Sequence, residues 1–316
     1  MRILNSHDVR ALVTIPELVV ALQEAFRKEF IAPLRQIAEV PGGDGGRLFL
    51  SMPAFGQEGM GAIKLLTFFP DNQATKLPTI QAVIVVFSET GTFEAVLDGT
   101  VVTHLRTGAA SALASQYLSR EDSSHLVVIG TGALAPTMAA AHCAVRPIRR
   151  VSVCGRRSER AAATAEIIRS LVNDTVEVLI PDSIEDAVAT ADIVSCATNS
   201  PTPVLYGKWL KPGTFVDLVG SFSPRTREAD DETILRSRIF VDTREGALAE
   251  AGDILDPLGR GLITKEKVEG DLSDLVRGRV KGRMAPNDIT LFKSVGTALE
   301  DLTAARMILA AADRRQ

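Results

Sequence analysis

Cysteine is scarce in this chain, and the few present exclude more than they suggest. Cys143, Cys154 and Cys196 are an odd number, lie far apart and have no paired spacing. Neither a disulfide framework nor a zinc site is expected, and all three read as small buried apolar residues. The four histidines, His7, His104, His125 and His142, show no metal-ligand or triad spacing, and no G-x-S-x-G or H-E-x-x-H motif occurs. Neither a metal centre nor hydrolytic chemistry is therefore expected. Long uniform runs are missing as well. No stretch approaches the roughly 18–20 apolar residues of a membrane span, and the first residues lack the apolar core of a leader. No Lys/Arg block stands out against a net charge of −4 and a pI of about 5.7. The expectation is a cytoplasmic protein with neither a membrane nor a nucleic acid as partner.

What is present is core-forming material. With 316 residues, 46% of them hydrophobic and 23% charged, the chain is long enough for two domains. Short Val- and Ile-rich runs recur from the middle onward: "LVVIG" from Leu126, "VSVCG" from Val151, "VEVLI" from Val176, "DIVSCAT" from Asp192, "GTFVDLVG" from Gly213 and "RIFVDT" from Arg238. Helical spacing fills the gaps in "SERAAATAEIIRSLV" and "SIEDAVATA". Continuous apolar strands are buried on both faces, so helices must cover both sides of a parallel sheet. The spacing predicts an α/β fold whose second part, 119–291, is a doubly wound Rossmann sheet of six strands.

The first part reads differently. A helix is expected around "IPELVVALQEAFRKEF", followed by strand-like runs "GRLFLSMPAF", "GAIKLLTFF", "TIQAVIVVFSE" and "GTFEAVLDG". The turn signals "PGGDGG", "FPDN" and "ETG" separate them, which predicts a mixed sheet with hairpins. "TGAASALASQYLS" reads as the outgoing helix, and "TLFKSVGTALEDLTAARMILAAADRR" as one long amphipathic helix that returns to this part. That makes a discontinuous α+β domain of 1–118 with 292–316.

Gly130, Thr131, Gly132, Ala133, Leu134 and Ala135 fit G-x-G-x-x-A at the turn between the first parallel strand and its helix. The first glycine permits the turn, the second lets backbone approach a pyrophosphate, and the helix N-terminus favours the anion. A merely tight turn is the alternative. At the end of the second strand, where an NAD site usually places an acid for the ribose 2′-OH, stand Gly155, Arg156, Arg157 and Ser158. Two guanidiniums and a hydroxyl suit a 2′-phosphate, or else form a solvated basic turn. The expected cofactor is NADPH, with NADH as the alternative.

Lys64 interrupts "GAIKLLTFF", on the strand face of Ala62 and Leu66, where a cation is out of place unless that face lines a pocket. An edge-strand or snorkelling lysine is the other reading. Arg106, ahead of a small-residue helix start and directly before Thr107, is placed to meet a carboxylate while Thr107 and that helix N-terminus meet phosphate. An ordinary salt bridge explains Arg106 equally well. Arg35 and Arg47 compete for a similar role.

The stretches "PLRQ", "MGAIKLLTFFPDN", "LPTIQAVIVVF", "LDGTVVTHLRTGAASALAS", "VIGTGALA", "VGSFSPRTRE" and "LFKSVGTALEDL" resemble the ornithine cyclodeaminase/mu-crystallin family along nearly the whole chain. The resemblance implies a homodimer whose first domain and last helix carry dimerisation and substrate contacts. It also places substrate-carboxylate contacts on Arg35, Lys64, Thr79 and Arg106 and a phosphate contact on Thr107. Further cofactor contacts are expected at Ala197 and Thr198, and at Ser221, Lys293 and Gly296 within the matching stretches. Cyclodeaminases of the family carry an Asp where this chain has Phe222, and Phe cannot accept a proton. The resemblance therefore points to a reductase of a small cyclic imino acid, Δ1-pyrroline-2-carboxylate or Δ1-piperideine-2-carboxylate, with Phe222 against the substrate; because reduction goes most easily from the protonated imine, Lys64, or water held near it, is the expected catalytic proton source. Alanine dehydrogenase, ornithine cyclodeaminase and a non-catalytic nucleotide-binding protein are the alternatives.

Overall fold

A computed structural model describes residues 1–42, 46–56, 59–75 and 77–315. The middle of the "PGGDGG" turn, 43–45, lies outside the described residues. Backbone contacts divide the chain into two units, Met1–Arg106 with Thr297–Gln316, and Thr107–Gly296. The first divide falls inside a helix, earlier than 118, and the second falls later than 291.

The first unit opens with β1 (Arg2–Leu4), α1 (Ser6–Leu12) and α2 (Ile15–Arg27), followed by β2 (Gln36–Glu39), β3 (Leu48–Phe55), β4 (Gly61–Phe68), α3 (Asn72–Thr75), β5 (Ile80–Phe87) and β6 (Phe93–Asp98). Its six strands run in the order β1-β6-β5-β4-β3-β2; β1 is parallel to β6 and the other pairs are antiparallel. Helix α2 starts where the sequence indicates: Pro16 stands in its first turn and Glu17 reaches back to the N–H of Thr14. Its buried face is Leu18, Val19, Leu22 and Phe26. Alternation along β4 sends Ala62, Lys64 and Leu66 inward, with Lys64 directly between Met52 and Ile84 on the neighbouring strands. The opposite face of the same sheet stays open to solvent. Phe49, Phe55 and Val83 on it are each more than a third exposed.

Helix α4 (Gly99–Leu118) leads into the second unit, which continues β7 (His125–Ile129), α5 (Ala135–Val145), β8 (Arg150–Cys154), α6 (Ser158–Leu171), β9 (Glu177–Leu179), α7 (Ile184–Thr190), β10 (Ile193–Cys196) and β11 (Phe215–Leu218). Then come α8 (Asp231–Arg236), β12 (Arg238–Val241), α9 (Arg244–Glu250), α10 (Gly252–Gly259), β13 (Val268–Asp271), α11 (Leu272–Val276) and β14 (Thr290–Lys293), and α12 (Ala298–Arg314) closes the first unit. The sheet is all parallel, in the order β13-β12-β14-β11-β10-β7-β8-β9. Val127, Ile129, Val194, Cys196, Val216 and Leu218 pack on one side with Val188 of α7 and Ala247 of α9. Their neighbours Leu126, Val128, Ile193 and Phe215 are equally buried, as continuous apolar strands require.

Eight strands replace the expected six. Thr290–Lys293 was expected inside the closing helix, but it is a central strand between β11 and β12, and the helix begins only at Ala298. Four residues leading straight into a helical pattern carry no period of their own. β13, "VEGD", lacks an apolar run altogether. Arg106 and Thr107 lie in mid-helix rather than at a helix start, because α4 begins at Gly99. Cys154 and Cys196 are buried and Cys143 nearly so, and burial pushes the thiols of Cys143 and Cys154 up to about 12. Among the described residues no helix is long and apolar enough to cross a membrane.

Candidate functional site

In the first unit the inward face of β4 packs on α12, and Arg106 of α4 reaches the same helix. The Lys64 Nζ lies 2.7 Å from Asp301 Oδ2, and both side chains are buried. Arg106 donates from Nε to Asp301 Oδ1 at 3.1 Å and from Nη1 to Glu300 Oε2 at 2.6 Å. Two cations and two carboxylates thus share one buried cluster. Burial pulls the Lys64 ammonium down to about 8; the Asp301 charge and hydrogen bond oppose this, while the charges of Arg106 and Arg35 add to it. An ammonium has three donors, so Asp301 leaves Lys64 hydrogen-bonding capacity for a ligand. Sensitivity to its charge places Arg35 in the same field. Thr79 is half-buried just before β5, with its carbonyl accepting the Phe69 N–H at 2.8 Å. Arg47 belongs elsewhere: it pairs with Asp71 at 3.0 Å and lies over the Phe69 ring. His104, on α4, has its imidazole held below the ordinary value by burial first, then by Arg10 and Arg106.

Glu300 and Asp301 were not among the expected site residues. Both look like ordinary acids in the first turn of a helix, where the dipole favours them. The signal lies in the period: Asp301 falls in one stripe with Ala298, Ala305, Ile308 and Ala312, all buried. A carboxylate in such a stripe needs a buried cation.

In the second unit, the turn after β7 has the geometry its glycines imply. Gly130 has φ +130, and a Cβ there would lie 2.5 Å from the Ala197 carbonyl at the end of β10. A Cβ on Gly132 would meet nothing within 4 Å. The second glycine therefore borders open space, as close approach of a pyrophosphate demands. Among the described residues the N–H groups of Gly132, Ala133 and Leu134 make no backbone hydrogen bond, while Ala135 turns back onto the Gly132 carbonyl at 3.1 Å. This turn sits where β7 and β10 are adjacent but their connections leave in opposite directions along the sheet, the switch point at which doubly wound sheets bind ligands. These features fit a dinucleotide. Thr107 is buried on α4 beside Gly108, where a Cβ would come within 3.0 Å of Thr137 on α5. Arg156, Arg157 and Ser158 are exposed at the end of β8 and the start of α6, and neither arginine is ion-paired among the described residues.

Other expected contacts are turned inward. Lys293 is fully buried and faces Asp253 and Glu228. The Ser221 hydroxyl is engaged by Thr226, 2.6 Å from its carbonyl, and the Gly296 N–H donates to Asp242 Oδ2 at 2.6 Å. Lys293 Nζ, the Ser221 hydroxyl and the Gly296 N–H thus each have a partner within this unit. Phe222 is partly buried and packs against the hydrophobic core of this unit, while Ala197 and Thr198 are half-exposed.

Comparison with known proteins places these features in a family. A model of the ornithine cyclodeaminase/mu-crystallin family matches residues 1–315. The Δ1-pyrroline-2-carboxylate reductase of Paracoccus denitrificans is 40% identical over 288 residues, 90% of this chain and 90% of that protein. Among solved structures, the Thermococcus litoralis Δ1-pyrroline-2-carboxylate reductase in complex with NADH and L-proline matches with a TM-score of 0.95 at 34% identity. That match covers 100% of this chain and 98% of the other. An archaeal alanine dehydrogenase dimer with bound NAD matches with a TM-score of 0.90 at 29% identity, over 100% and 97%.

Proposed function

Since the chain belongs to the ornithine cyclodeaminase/mu-crystallin family, we propose that it is an NAD(P)H-dependent reductase of a small cyclic ketimine bearing a carboxylate. Δ1-Pyrroline-2-carboxylate is the first candidate, giving L-proline, and Δ1-piperideine-2-carboxylate the second, giving L-pipecolate. The observation that carries this reading is Lys64: a buried ammonium with donors beyond the one that faces Asp301, in the field of Arg106 and Arg35. Such a group both grips a carboxylate and gives up a proton. The named relatives, and the L-proline bound in the Thermococcus protein, support the same substrate class.

When bound, the nicotinamide supplies the hydride that C2 receives. The chain's part is to hold the substrate carboxylate with Lys64, Arg106, Arg35 and Thr79, and to deliver one proton from Lys64 to the ring nitrogen. Asp301 keeps the ammonium oriented and opposes the depression of its pKa. An apolar Phe222 offers no base for amine chemistry on ornithine. The deciding assay follows NADPH oxidation with Δ1-pyrroline-2-carboxylate, Δ1-piperideine-2-carboxylate, and pyruvate plus ammonia. Faster turnover of pyruvate plus ammonia would make the protein an alanine dehydrogenase instead. Ammonia released from ornithine without net cofactor use would make it a cyclodeaminase, and nucleotide binding with no turnover a binding protein.

Arg156 and Arg157 are the basis for NADPH over NADH. Replacing both by Ala should lower kcat/KM for NADPH by about 10- to 100-fold, the equivalent of one or two charge-assisted hydrogen bonds, and leave NADH kinetics nearly unchanged. Equal losses with both cofactors would remove the pair from 2′-phosphate recognition.

The open face of the first unit's sheet is the surface we assign to a second copy of the chain. Apolar faces of this kind on soluble proteins mark contact sites, and Phe49, Leu65 and Val83 supply its apolar residues. Val83→Glu should convert dimers to monomers in sedimentation; an unchanged mass would place the contact elsewhere.

A further inference from the structure

The proposed chemistry makes no use of three fully buried charged residues in the second unit. Glu228, Asp253 and Lys293 are all fully out of water. Lys293, the last residue of β14, brings its Nζ to 3.2 Å from Asp253 Oδ2 and 3.9 Å from Glu228 Oε2. Asp253, in the first turn of α10, accepts the N–H groups of Glu228 and Ala229 at 2.8 and 3.0 Å, which fixes the backbone that carries Glu228.

The Glu228 carboxylate collects four hydrogen bonds. Oε1 takes the Thr198 N–H at 2.7 Å and its hydroxyl at 3.1 Å; Oε2 takes the N–H groups of Gly220 at 2.7 Å and Ser221 at 3.2 Å. Thr198 lies just past β10, and Gly220 and Ser221 just past β11, so one side chain ties together the loops leaving two adjacent central strands. The packing leaves no slack. A Cβ on Gly220 would lie 2.1 Å from the Thr198 carbonyl and 2.5 Å from Glu228 Oε1. Ligands of doubly wound sheets lie beyond the carboxyl ends of the strands, and these are the loops on the side of the switch point away from the second-strand arginines.

We propose that Glu228 is a positioning residue for nucleotide binding: ionised, it holds the loops after β10 and β11 in the shape the dinucleotide meets, and Lys293 keeps it ionised. The proposal rests on the reading of this unit as a dinucleotide site. Protonation would place an O–H against one of the N–H donors and release part of the staple. Burial holds the Glu228 carboxyl up at about 7, with Asp253 adding to the rise and Lys293 opposing it. The groups facing it are Lys293 from β14, Asp253 from α10 and the Cys196 thiol from β10, the last kept neutral by its own burial. The folded-state value is raised, so the ionised staple is lost as pH falls through about 7.

The test is the NADH dissociation constant from pH 5.5 to 9, read by fluorescence titration. NADH is the probe because NADPH carries a phosphate monoester that itself titrates near pH 6. Wild-type affinity should fall about tenfold from pH 8 to pH 6, as expected for one group that must be ionised. Glu228→Gln should bind weakly at every pH with a flat profile, and the KM for the cyclic imine should stay nearly unchanged. Lys293→Met should move the midpoint of the profile upward. A wild-type affinity constant between pH 6 and 8 would overturn the proposal even if Glu228→Gln fails to fold. So would a Glu228→Gln protein with wild-type affinity. A protein that binds neither NADH nor NADPH at any pH would instead overturn the dinucleotide reading beneath it.

Discussion

Lys64→Met is expected to lower turnover of the cyclic imine by about 10²–10⁴-fold, the usual contribution of a positioned proton donor, with nucleotide affinity essentially unchanged. Methionine keeps the unbranched apolar stem of lysine and removes the terminal ammonium with its charge and donors. The fold should tolerate the change better than loss of a buried ion partner ordinarily allows, because Asp301 keeps its bond from Arg106 at 3.1 Å. Circular dichroism and the melting temperature separate lost chemistry from lost structure. The wild-type pH profile gives a second reading. Burial lowers the Lys64 ammonium to about 8 in the unliganded protein, and only the protonated form donates, so kcat/KM should decline as pH rises through about 8. A melting temperature and kcat both at wild-type levels would remove Lys64 from proton transfer. A wild-type kcat/KM still rising above pH 9 would do the same.

The two glycines of the turn after β7 should fail in different ways. Gly130→Ala puts a side chain at φ +130 and 2.5 Å from the Ala197 carbonyl. The backbone strain alone costs about 1–3 kcal/mol, and the displaced carbonyl adds to it. The melting temperature and nucleotide affinity should fall together. Gly132→Val meets no protein atom within 4 Å at its Cβ, so the fold should hold while nucleotide affinity falls by about 10²-fold, as steric loss of a charge-assisted phosphate contact implies. Thermal melts with and without NADPH distinguish the cases: Gly132→Val should keep the wild-type melting temperature and lose the shift on adding nucleotide. A Gly132→Val protein that binds as tightly as wild type would show that the pyrophosphate lies elsewhere.

The contrast between these glycines shows what the sequence makes legible. The G-x-G-x-x-A pattern, the Val-rich strands and the shared strand face of Ala62, Lys64 and Leu66 are all local signals, and the architecture follows from them. Strand β14 was hidden because its four residues run directly into a helical pattern. The acidic partners were hidden for a different reason. Asp301 meets Lys64 and Arg106 across well over 190 positions of sequence, and no local pattern encodes such a pairing. Lys293 shows the converse: the motif marks it, but only the tertiary structure shows that its charge faces Asp253 and Glu228. Glu228 and Asp242, which organise loops around the sheet, give no signal until the donors they collect are seen together.

The state of the three thiols carries a practical consequence. Thiolate is the form that alkylating and oxidising reagents attack, and Cys143 and Cys154 reach it only near pH 12 while Cys196 is shut away completely. The native protein should withstand air and maleimides without added reductant. One cysteine engineered onto the open sheet face, at Val83 for example, would then be the single reactive handle for a fluorophore or spin label reporting whether two copies come together.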